Sequence, residues 1–364
     1  MKFRCERDVL VEALGAAGRA VASRGGSLPV LAGIRIELRG DQLHLTGSDL
    51  DLTIGVETSV TGAADGVAVV PSRITNEMVR SLASGRVDVA VEGDEARISA
   101  GRFESTIRLL PAEEFPRLAG PPPDAVTLSA KAFAAALRQV VPAASADDAR
   151  PILTGVLMAA EGNGLRLVAT DSYRLAVRDL PGTSVLSQDQ TVLVPSRALR
   201  ELERILGGSD EVTLRLGERE ATFEVGTVQL TTRLIEGEFP NYRGLIPSGY
   251  PNRLTVGREG LLDAVRRVKL MAREATPVRL SMGTDGLELV AVTQDVGQAH
   301  EQVDASFDGT ELTVAFNPEY LLDGVEVTPG DEIVLETIDH QKPAVIRSAT
   351  DGEEFLYLLM PVRV

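Results

Sequence analysis

The sequence predicts an α+β fold made of three homologous domains, each a duplicated unit of one helix with antiparallel strands. Two observations support this prediction. The same motifs recur at a spacing of about 120 residues. Within each repeat, a helical hydrophobic period alternates with the period-2 pattern of half-buried strands. With 364 residues, the chain is long enough for two or three separate cores.

Two series of residues define the repeat. Leucines stand in equivalent places 122 residues apart, at Leu43, Leu165 and Leu287. Prolines follow at spacings of 124 and 123 residues, at Pro71, Pro195 and Pro318. The segment "RLLPAEEFP" also has a second copy in "RLIEGEFP". These three sets of equivalent positions recur at nearly the same spacing, which indicates that the chain contains three copies of one unit.

Two connectors separate the repeats. "AGPPPDA" (119–125) is a proline-rich, semi-rigid linker, and "IPSGYPN" (246–252) stands at the matching point of the second repeat. We therefore predict domains at 1–120, 125–247 and 252–364.

Each half-repeat is predicted to contain one helix. "ERDVLVEALGAAGRAV" places Leu10, Leu14, Ala17 and Val21 on one face. "PSR" opens the second helix of the first two repeats, since proline favours a first turn. The predicted helical segments are 6–24, 72–84, 130–144, 196–208, 258–274 and 317–326. Between them lie alternating runs such as "GIRIELRGDQLHLTG", where a Gly-Asp turn joins two strands.

The charge is uneven along the chain. The net charge of −16 argues against a nucleic-acid partner. However, the six predicted helical segments hold 15 Lys and Arg against 12 Asp and Glu, while the rest holds 22 against 41. Two explanations stay open: arginine favours helices while turns are acidic, or the helices form one face that meets an anion such as a phosphate backbone.

The motifs of common enzymes are missing. The sequence has no GxGxxG, GxxxxGK[ST], GxSxG or HExxH pattern. His44, His300 and His340 share no metal-ligand spacing. The single cysteine, Cys5, excludes an intramolecular disulfide and fits a reducing cytoplasm. The charged N-terminus "MKFRCERDVL" does not resemble a signal peptide. We predict a cytoplasmic protein without metal, cofactor or catalytic residues.

One stretch leaves an alternative open. "ATDSYRLAV" (169–177) could serve a hydrolase that uses Asp171 and Arg174, but such an enzyme needs a base or a metal that the sequence does not offer. Asp171 has a counterpart at Asp49 in the first repeat, which predicts a structural role in a turn or strand end. Tyr173 and Arg174 have no such counterpart there, and this predicts a specialised role for both.

The motifs "VPSR", "LLPAEEFP", "ATDSYRLAV", "EGEFPNYRGLIP" and "LMPVRV" together resemble the bacterial sliding-clamp family, the beta subunit of DNA polymerase III, over the whole chain. The resemblance implies a non-catalytic DNA-clamp fold. Two subunits would join head to tail into a ring, with sheets outside and helices lining a hole around duplex DNA. A paralogue with a specialised role, such as inhibitor tolerance, stays open.

The resemblance also implies partners and site residues. A pocket would bind short motifs, each with a glutamine and hydrophobic residues, from client proteins: the replicative polymerase, the clamp loader and repair proteins. No membrane partner is implied. The pocket residues would be Leu153, Thr170, Ser172, Tyr173, Arg174, Leu175, Pro240, Leu245, Asn317, Tyr320, Leu358, Leu359, Met360, Pro361, Val362 and Arg363.

Two further sets follow from the resemblance. The DNA-facing set would be Arg24, Arg73, Arg80, Lys131, Arg138, Arg197, Arg200, Arg204, Arg266 and Arg267, although each could be an ordinary surface side chain. The dimer interface would include Ile107, Leu270 and Met271, for which a position in the core is an equal alternative.

This sequence departs from the family pattern at two places. Tyr173 stands where histidine is common, and Gly244 stands where some members carry a basic residue. Both changes would alter the rim of the pocket. The third repeat has "AVTQDV" in place of "ATDSYR", which predicts one client site per chain.

Overall fold

A computed structural model of the chain describes residues 1–22, 28–272, 276–350 and 354–363. These residues form six α-helices and 26 β-strands, and every strand pair among them is antiparallel. The α+β prediction is therefore confirmed.

Each half-repeat contains one helix, as predicted, but a strand precedes each helix where the sequence predicts that the repeat begins with the helix. The helices are α1 (Arg7–Gly18), α2 (Ser72–Ser81), α3 (Ala130–Val140), α4 (Ser196–Leu206), α5 (Arg258–Lys269) and α6 (Pro318–Val327). Each helix except α6 is shorter than its predicted segment. Val21, placed on the face of the first helix by its spacing, lies beyond the end of α1.

The strands number β1 to β26 in chain order. Those of the first repeat are β1 (Lys2–Glu6), β2 (Gly33–Arg39), β3 (Gln42–Ser48), β4 (Leu52–Ser59), β5 (Thr61–Ala64), β6 (Gly66–Pro71), β7 (Arg86–Glu92), β8 (Glu95–Ala100) and β9 (Phe103–Arg108). The second repeat contains β10 (Val126–Ser129), β11 (Gly155–Glu161), β12 (Gly164–Thr170), β13 (Arg174–Leu180), β14 (Thr191–Pro195), β15 (Glu211–Leu216), β16 (Glu220–Val225) and β17 (Val228–Arg233). The third contains β18 (Asn252–Gly257), β19 (Val278–Gly283), β20 (Gly286–Thr293), β21 (Gly297–Val303), β22 (Ala305–Asp308), β23 (Leu312–Phe316), β24 (Glu332–Thr337), β25 (Ala344–Ser348) and β26 (Phe355–Leu359).

Tertiary contacts divide the chain into two compact units. One comprises Met1–Lys131 and Arg200–Leu234, and the other comprises Ala132–Leu199 and Ile235–Val364. All three points of division fall inside the second repeat, because its strands join the sheets of both neighbouring repeats. The domain boundaries predicted from the repeats stay a prediction.

The first unit contains a five-stranded sheet in the order β5-β1-β7-β8-β9 and an eight-stranded sheet in the order β10-β15-β16-β17-β4-β3-β2-β6. The pairing of β17 with β4 makes the larger sheet continuous between two repeats. Helices α1 and α2 pack together, and Leu10, Leu14 and Ala17 of α1 are buried as their spacing predicts.

The second unit contains a nine-stranded sheet in the order β14-β11-β12-β13-β26-β25-β24-β18-β22 and a four-stranded sheet in the order β21-β20-β19-β23. Here β13 pairs with β26, from Arg174 opposite Leu359 to Arg178 opposite Phe355. This pairing brings the "ATDSYRLAV" stretch beside the C-terminal strand.

A matched pair of glycine substitutions tests the helix packing of this unit. On Gly324 of α6 a Cβ would lie 2.4 Å from the buried Tyr357 ring, whereas on Gly260 of α5 the nearest atom, in Val303, would be 4.0 Å away. Gly324→Ala should destabilise the protein by about 1–3 kcal/mol because the ring must move. Gly260→Ala should stabilise it by about 0.5 kcal/mol through helix propensity. Urea unfolding followed by circular dichroism measures both, and shifts of equal sign would contradict the packing.

Candidate functional site

A tight turn connects β12 to β13 and begins the candidate site. The Asp171 carboxylate Oδ1 accepts hydrogen bonds from the backbone N–H groups of Tyr173 and Arg174, at 2.9 and 3.0 Å. The Thr170 hydroxyl accepts from the Ser172 N–H at 3.2 Å and donates to the Arg174 carbonyl at 2.7 Å. Ser172 has a φ of +80°, which its backbone adopts because the Thr170 and Asp171 side chains hold the turn.

The first repeat has the same turn between β3 and β4. Asp49 Oδ1 accepts from the N–H groups of Asp51 and Leu52, at 3.1 and 2.8 Å, and Ser48 Oγ accepts from Leu50 N–H at 3.1 Å. Leu50 has a φ of +79°, almost the value of its counterpart in the second repeat. The prediction of a structural role for Asp171 is therefore confirmed: its carboxylate holds a turn that both repeats share.

The Arg174 side chain is fixed from three directions. Its Nε donates to Asp171 Oδ2 at 3.0 Å, and its Nη1 donates to Asp323 of α6 and to the Tyr357 hydroxyl, the latter at 3.4 Å. Burial by itself would lower the pKa of Arg174, but Tyr357 and the two acids outweigh it and raise that pKa above its ordinary value. Arg174 is a permanent, immobile cation.

An aromatic pair lies against this cation. The guanidinium carbon of Arg174 is 4.3 Å from the centre of the Tyr320 ring, and Tyr173 stacks on Tyr320 with ring centres 6.3 Å apart. Asn317 caps α6 by accepting from the N–H groups of Glu319 and Tyr320, at 2.9 and 3.4 Å, and so positions the Tyr320 backbone. Tyr173 is 57% exposed and presents its ring to solvent.

The C-terminal tail continues along the same edge. After the buried Leu358 and Leu359, the Met360 N–H donates to the Tyr173 carbonyl at 2.9 Å. Two residues on, the Val362 N–H donates to the Ala315 carbonyl of β23 at 2.8 Å. Met360 is 38% exposed, Pro361 and Val362 are half-buried, and Arg363 is exposed. The tail is held by its backbone and leaves side chains available.

An apolar cluster lies beside the tail. Its buried members are Val168, Leu175, Val177, Tyr242, Val345, Leu356 and Leu358, and the half-buried Leu157, Phe239, Ile246 and Tyr250 pack against them. Sequence reasoning found Leu175 and Leu358 but missed the aromatic residues of the segment 239–250. The apolar spacing in "FPNYRGLIPSGY" was the available signal.

The remaining predicted pocket residues have mixed positions. Leu153, in the short helical turn Pro151–Thr154, is 9% exposed. That turn is tied to the site because Arg150 Nη1 lies 3.3 Å from the Ser172 hydroxyl, to which it donates. Pro240 is exposed and Leu245 is 49% exposed, at the surface of the segment that carries Tyr242. All sixteen predicted pocket residues lie in the second unit.

The predicted DNA-facing residues are all exposed where they are described: Arg73, Arg80, Lys131, Arg138, Arg197, Arg200, Arg204, Arg266 and Arg267. Arg24 lies outside the described residues. Several of the others form ion pairs. Arg73 pairs with Glu77 at 3.0 Å, and Nε and Nη2 of Arg267 donate to Glu301, at 2.9 and 2.5 Å.

The helices differ in charge from repeat to repeat. α1 and α2 together carry no net charge, α3 and α4 carry +3, and α5 and α6 carry −1. The positive charge expected of a DNA-facing surface therefore lies on both helices of the second repeat and on α5, whereas α6 is acidic.

The predicted interface residues behave differently from one another. Leu270, just after α5, is 78% exposed, and Met271 is half-buried. Ile107 is only 7% exposed, so the core alternative describes its side chain correctly. On the same strand, Phe103 is 42% exposed because it stands next to the β8–β9 hairpin turn, opposite Ala100. Both β9 and β21 are edge strands of their sheets.

Neither a metal-ligand cluster nor a membrane-spanning helix occurs in the described part of the chain. It contains no group of three or more His, Cys, Asp or Glu side chains that could hold a metal ion. Among those residues, no helix is long and apolar enough to cross a membrane.

Comparison with known proteins decides the family. Three profiles of the DNA polymerase III beta subunit match in succession: the N-terminal domain over residues 1–119, the central domain over 127–241 and the C-terminal domain over 243–363. The chain belongs to the DNA polymerase III beta subunit family. These subunits are sliding clamps, which are processivity factors without catalysis, so the hydrolase alternative is wrong.

Individual sliding clamps resemble this chain over its full length. The beta sliding clamp of Streptomyces coelicolor is 36% identical over 377 residues and covers all of both chains. That of Staphylococcus aureus is 30% identical, over 100% of this chain and 99% of its own. The crystal structure of the Bacillus subtilis DNA polymerase sliding clamp superposes with a TM-score of 0.92 at 31% identity, covering 100% and 99% of the two chains. A Pseudomonas aeruginosa DnaN sliding clamp bound to griselimycin has a TM-score of 0.92 at 29% identity, with both chains fully covered.

A pair of tyrosine substitutions tests the support of Arg174 in this sliding clamp. The Tyr357 hydroxyl donates to the Tyr320 carbonyl at 2.8 Å and accepts from Arg174. Tyr357→Phe should therefore destabilise the protein by about 1–2 kcal/mol in urea unfolding.

Tyr250→Phe is the matched control. The buried Tyr250 hydroxyl has no hydrogen-bond partner among the described residues, so its removal should be neutral or stabilising. A larger loss of stability for Tyr250→Phe than for Tyr357→Phe would contradict the hydrogen bonds assigned here.

Proposed function

We propose that this sliding clamp is a head-to-tail homodimer that encircles duplex DNA and tethers the replicative polymerase for processive synthesis. The observation that carries the proposal is the full-length match to sliding clamps, with the site around Arg174 and the C-terminal tail intact. We also propose that the protein acts in the cytoplasm, at the nucleoid, and that its three repeats correspond to domains 1–120, 125–247 and 252–364.

Two exposed edges support a ring. The edge strand β9 carries the exposed Phe103. The edge strand β21 belongs to the four-stranded sheet, whose strands come after the exposed Leu270 in the sequence. Edge strands present unpaired backbone groups, and exposed apolar side chains beside them favour pairing with another chain. Because the two edges differ, their contact is heterologous, and it must close after two subunits to give a ring.

The exposed arginines supply contact with DNA without reading its sequence. Arginine contacts to phosphate oxygens position a protein on the duplex but do not distinguish bases. The excess positive charge on α3, α4 and α5 makes these helices the main contributors. Since encirclement retains the ring topologically, weak contacts are sufficient and permit sliding.

The site at the C-terminal tail would bind client peptides. Apolar side chains around Leu245 and Met360 suit the hydrophobic residues of an extended peptide, and Met adapts to different shapes. The fixed Arg174 cation and the Tyr173 and Tyr320 rings stand at the rim. We propose that the clamp loader, the polymerase and repair proteins bind here through short motifs with glutamine and hydrophobic residues.

A charge at the exposed Leu270 should open the ring. Leu270→Glu places a carboxylate in the proposed interface and should lower the mass in light scattering from twice 38.8 kDa to 38.8 kDa. The variant should also fail to stay on circular DNA after loading by a bacterial clamp loader, whereas wild type should stay until the circle is cut.

Ile74→Glu is the control, because Ile74 is an exposed apolar residue (47%) on helix α2 and belongs to neither edge strand. It should remain dimeric. A wild-type protein that is monomeric at micromolar concentration, or a Leu270→Glu variant that stays dimeric, would overturn the ring.

Deleting residues 360–364 should remove the client site. The deletion breaks the backbone bonds from Met360 to Tyr173 and from Val362 to Ala315 and removes the Met360 side chain. Affinity for a fluorescein-labelled peptide with one glutamine and three hydrophobic residues should fall at least about tenfold in anisotropy titrations, since anchor side chains dominate such sites. The dimer mass should not change. A deletion with wild-type affinity would refute the site.

A further inference from the structure

Three neighbouring strands of the nine-stranded sheet carry a charged cluster that the proposed pocket does not include. Arg166 of β12 binds Asp179 of β13 with two hydrogen bonds, at 2.6 and 2.7 Å, and lies 3.1 Å from Glu161 at the end of β11. We name Glu161, Arg166 and Asp179 the strand bridge. The Asp179 hydrogen bonds raise the pKa of Arg166 above its ordinary value despite partial burial, so the cluster keeps its charge.

The segment 239–250 is attached to the strand bridge by two consecutive residues. Arg243 Nη2 donates to Glu161 Oε2 at 2.7 Å, and this bond lowers the pKa of Glu161. The Arg243 guanidinium also lies 5.5 Å from the Tyr242 ring centre. The Tyr242 hydroxyl helps to raise the pKa of Arg166, and its ring is buried in the apolar cluster. The apolar cluster therefore holds Tyr242, and the strand bridge holds Arg243.

The backbone transmits this attachment to the exposed residues on either side. The Tyr242 N–H donates to the Pro240 carbonyl at 2.7 Å, and the Leu245 N–H donates to the Tyr242 carbonyl at 3.0 Å. A further bond joins the Ile246 N–H to the Arg243 carbonyl at 3.3 Å. The places of Pro240 and Leu245 thus depend on where Tyr242 and Arg243 are held.

We infer that the strand bridge, acting through Arg243, positions Pro240 and Leu245 as one wall of the client-peptide site. Glu161 and Arg243 are positioning residues here and do not contact the peptide. This inference rests on the proposed peptide-binding function. An ion pair would then determine the geometry of an apolar wall. Because salt screens the ion pair, the affinity for an uncharged peptide should depend on the salt concentration.

The exposure of the pair separates this role from a general contribution to stability. The side chains of Glu161 and Arg243 are 34% and 57% exposed. Ion pairs with such exposure contribute little to folding stability, because solvent and salt screen them. Breaking the pair should therefore leave the unfolding midpoint almost unchanged, whereas a displaced wall should weaken peptide binding.

The experiment measures binding of an uncharged fluorescent peptide with one glutamine and three hydrophobic residues, by anisotropy, to the full-length dimer. Glu161→Gln and Arg243→Gln should each weaken binding roughly fivefold. The double variant should bind as weakly as each single variant, because both changes break the same Glu161–Arg243 pair. Arg243→Lys, which keeps the charge, should retain part of the affinity. Wild-type affinity should fall between about 0.05 and 0.5 M salt, and that of the double variant should not.

Arg215→Gln is the matched control. Arg215 also binds a glutamate, Glu224 at 3.0 Å, and also holds a linker through the Pro122 and Pro123 carbonyls at 3.3 and 2.9 Å, but in the first unit. Its loss should leave peptide affinity unchanged. Thermal unfolding and dimer mass confirm that each variant is folded.

The outcomes separate the two proposals. A wild-type protein that does not bind the peptide refutes the client site itself. Wild-type binding with unchanged affinity in Glu161→Gln and Arg243→Gln refutes only the positioning role. Weaker binding in Arg243→Gln but not in Glu161→Gln means that Arg243 contacts the peptide directly, which also overturns the inference.

Discussion

Antiparallel pairing of β13 with β26 organises the candidate site of this sliding clamp. The pairing sets Arg174 opposite Leu359 and Leu175 opposite Leu358, although these residues are far apart in the sequence. It places the turn after β12 beside the C-terminal tail, and the Tyr173 carbonyl then accepts a hydrogen bond from Met360. The same pairing joins Leu175, Leu356 and Leu358 in one apolar cluster. The sheet therefore determines where Tyr173, Arg174 and the C-terminal tail meet.

A buried cation is the second requirement of the site. The Arg174 side chain is 10% exposed, and removing a charge from water is costly unless it is paired. Asp171, Asp323 and the Tyr357 hydroxyl supply that pairing, and two of these partners come from other elements. Loss of one partner of a buried pair typically costs about 3–5 kcal/mol. The position of the aromatic rim therefore depends on these pairings of Arg174, and the loss of one partner should destabilise the site.

Local features of the site could be predicted from the sequence because they depend on neighbouring residues. The shared acid at Asp49 and Asp171 predicted a structural turn, and both turns have the same hydrogen bonds and the same positive φ. Other features depend on the three-dimensional surroundings. Ile107 looked like a candidate interface residue but is in the core, while Phe103 on the same strand is exposed at the hairpin end. The period-2 alternation predicts on which face of the sheet a side chain lies. It does not predict whether the core covers that part of the face.

The sequence by itself determined the three repeats, the α+β class, the single helix of each half-repeat and the family, because these follow from periodicity and motifs along the chain. Only the tertiary structure decided which strands join the repeats, which partners hold Arg174 and how Arg243 attaches to Glu161. The physical reason is that sheet pairing and ion pairs link residues far apart in the chain. Arg174 and Tyr357 are separated by 183 positions, and no local pattern specifies such a contact.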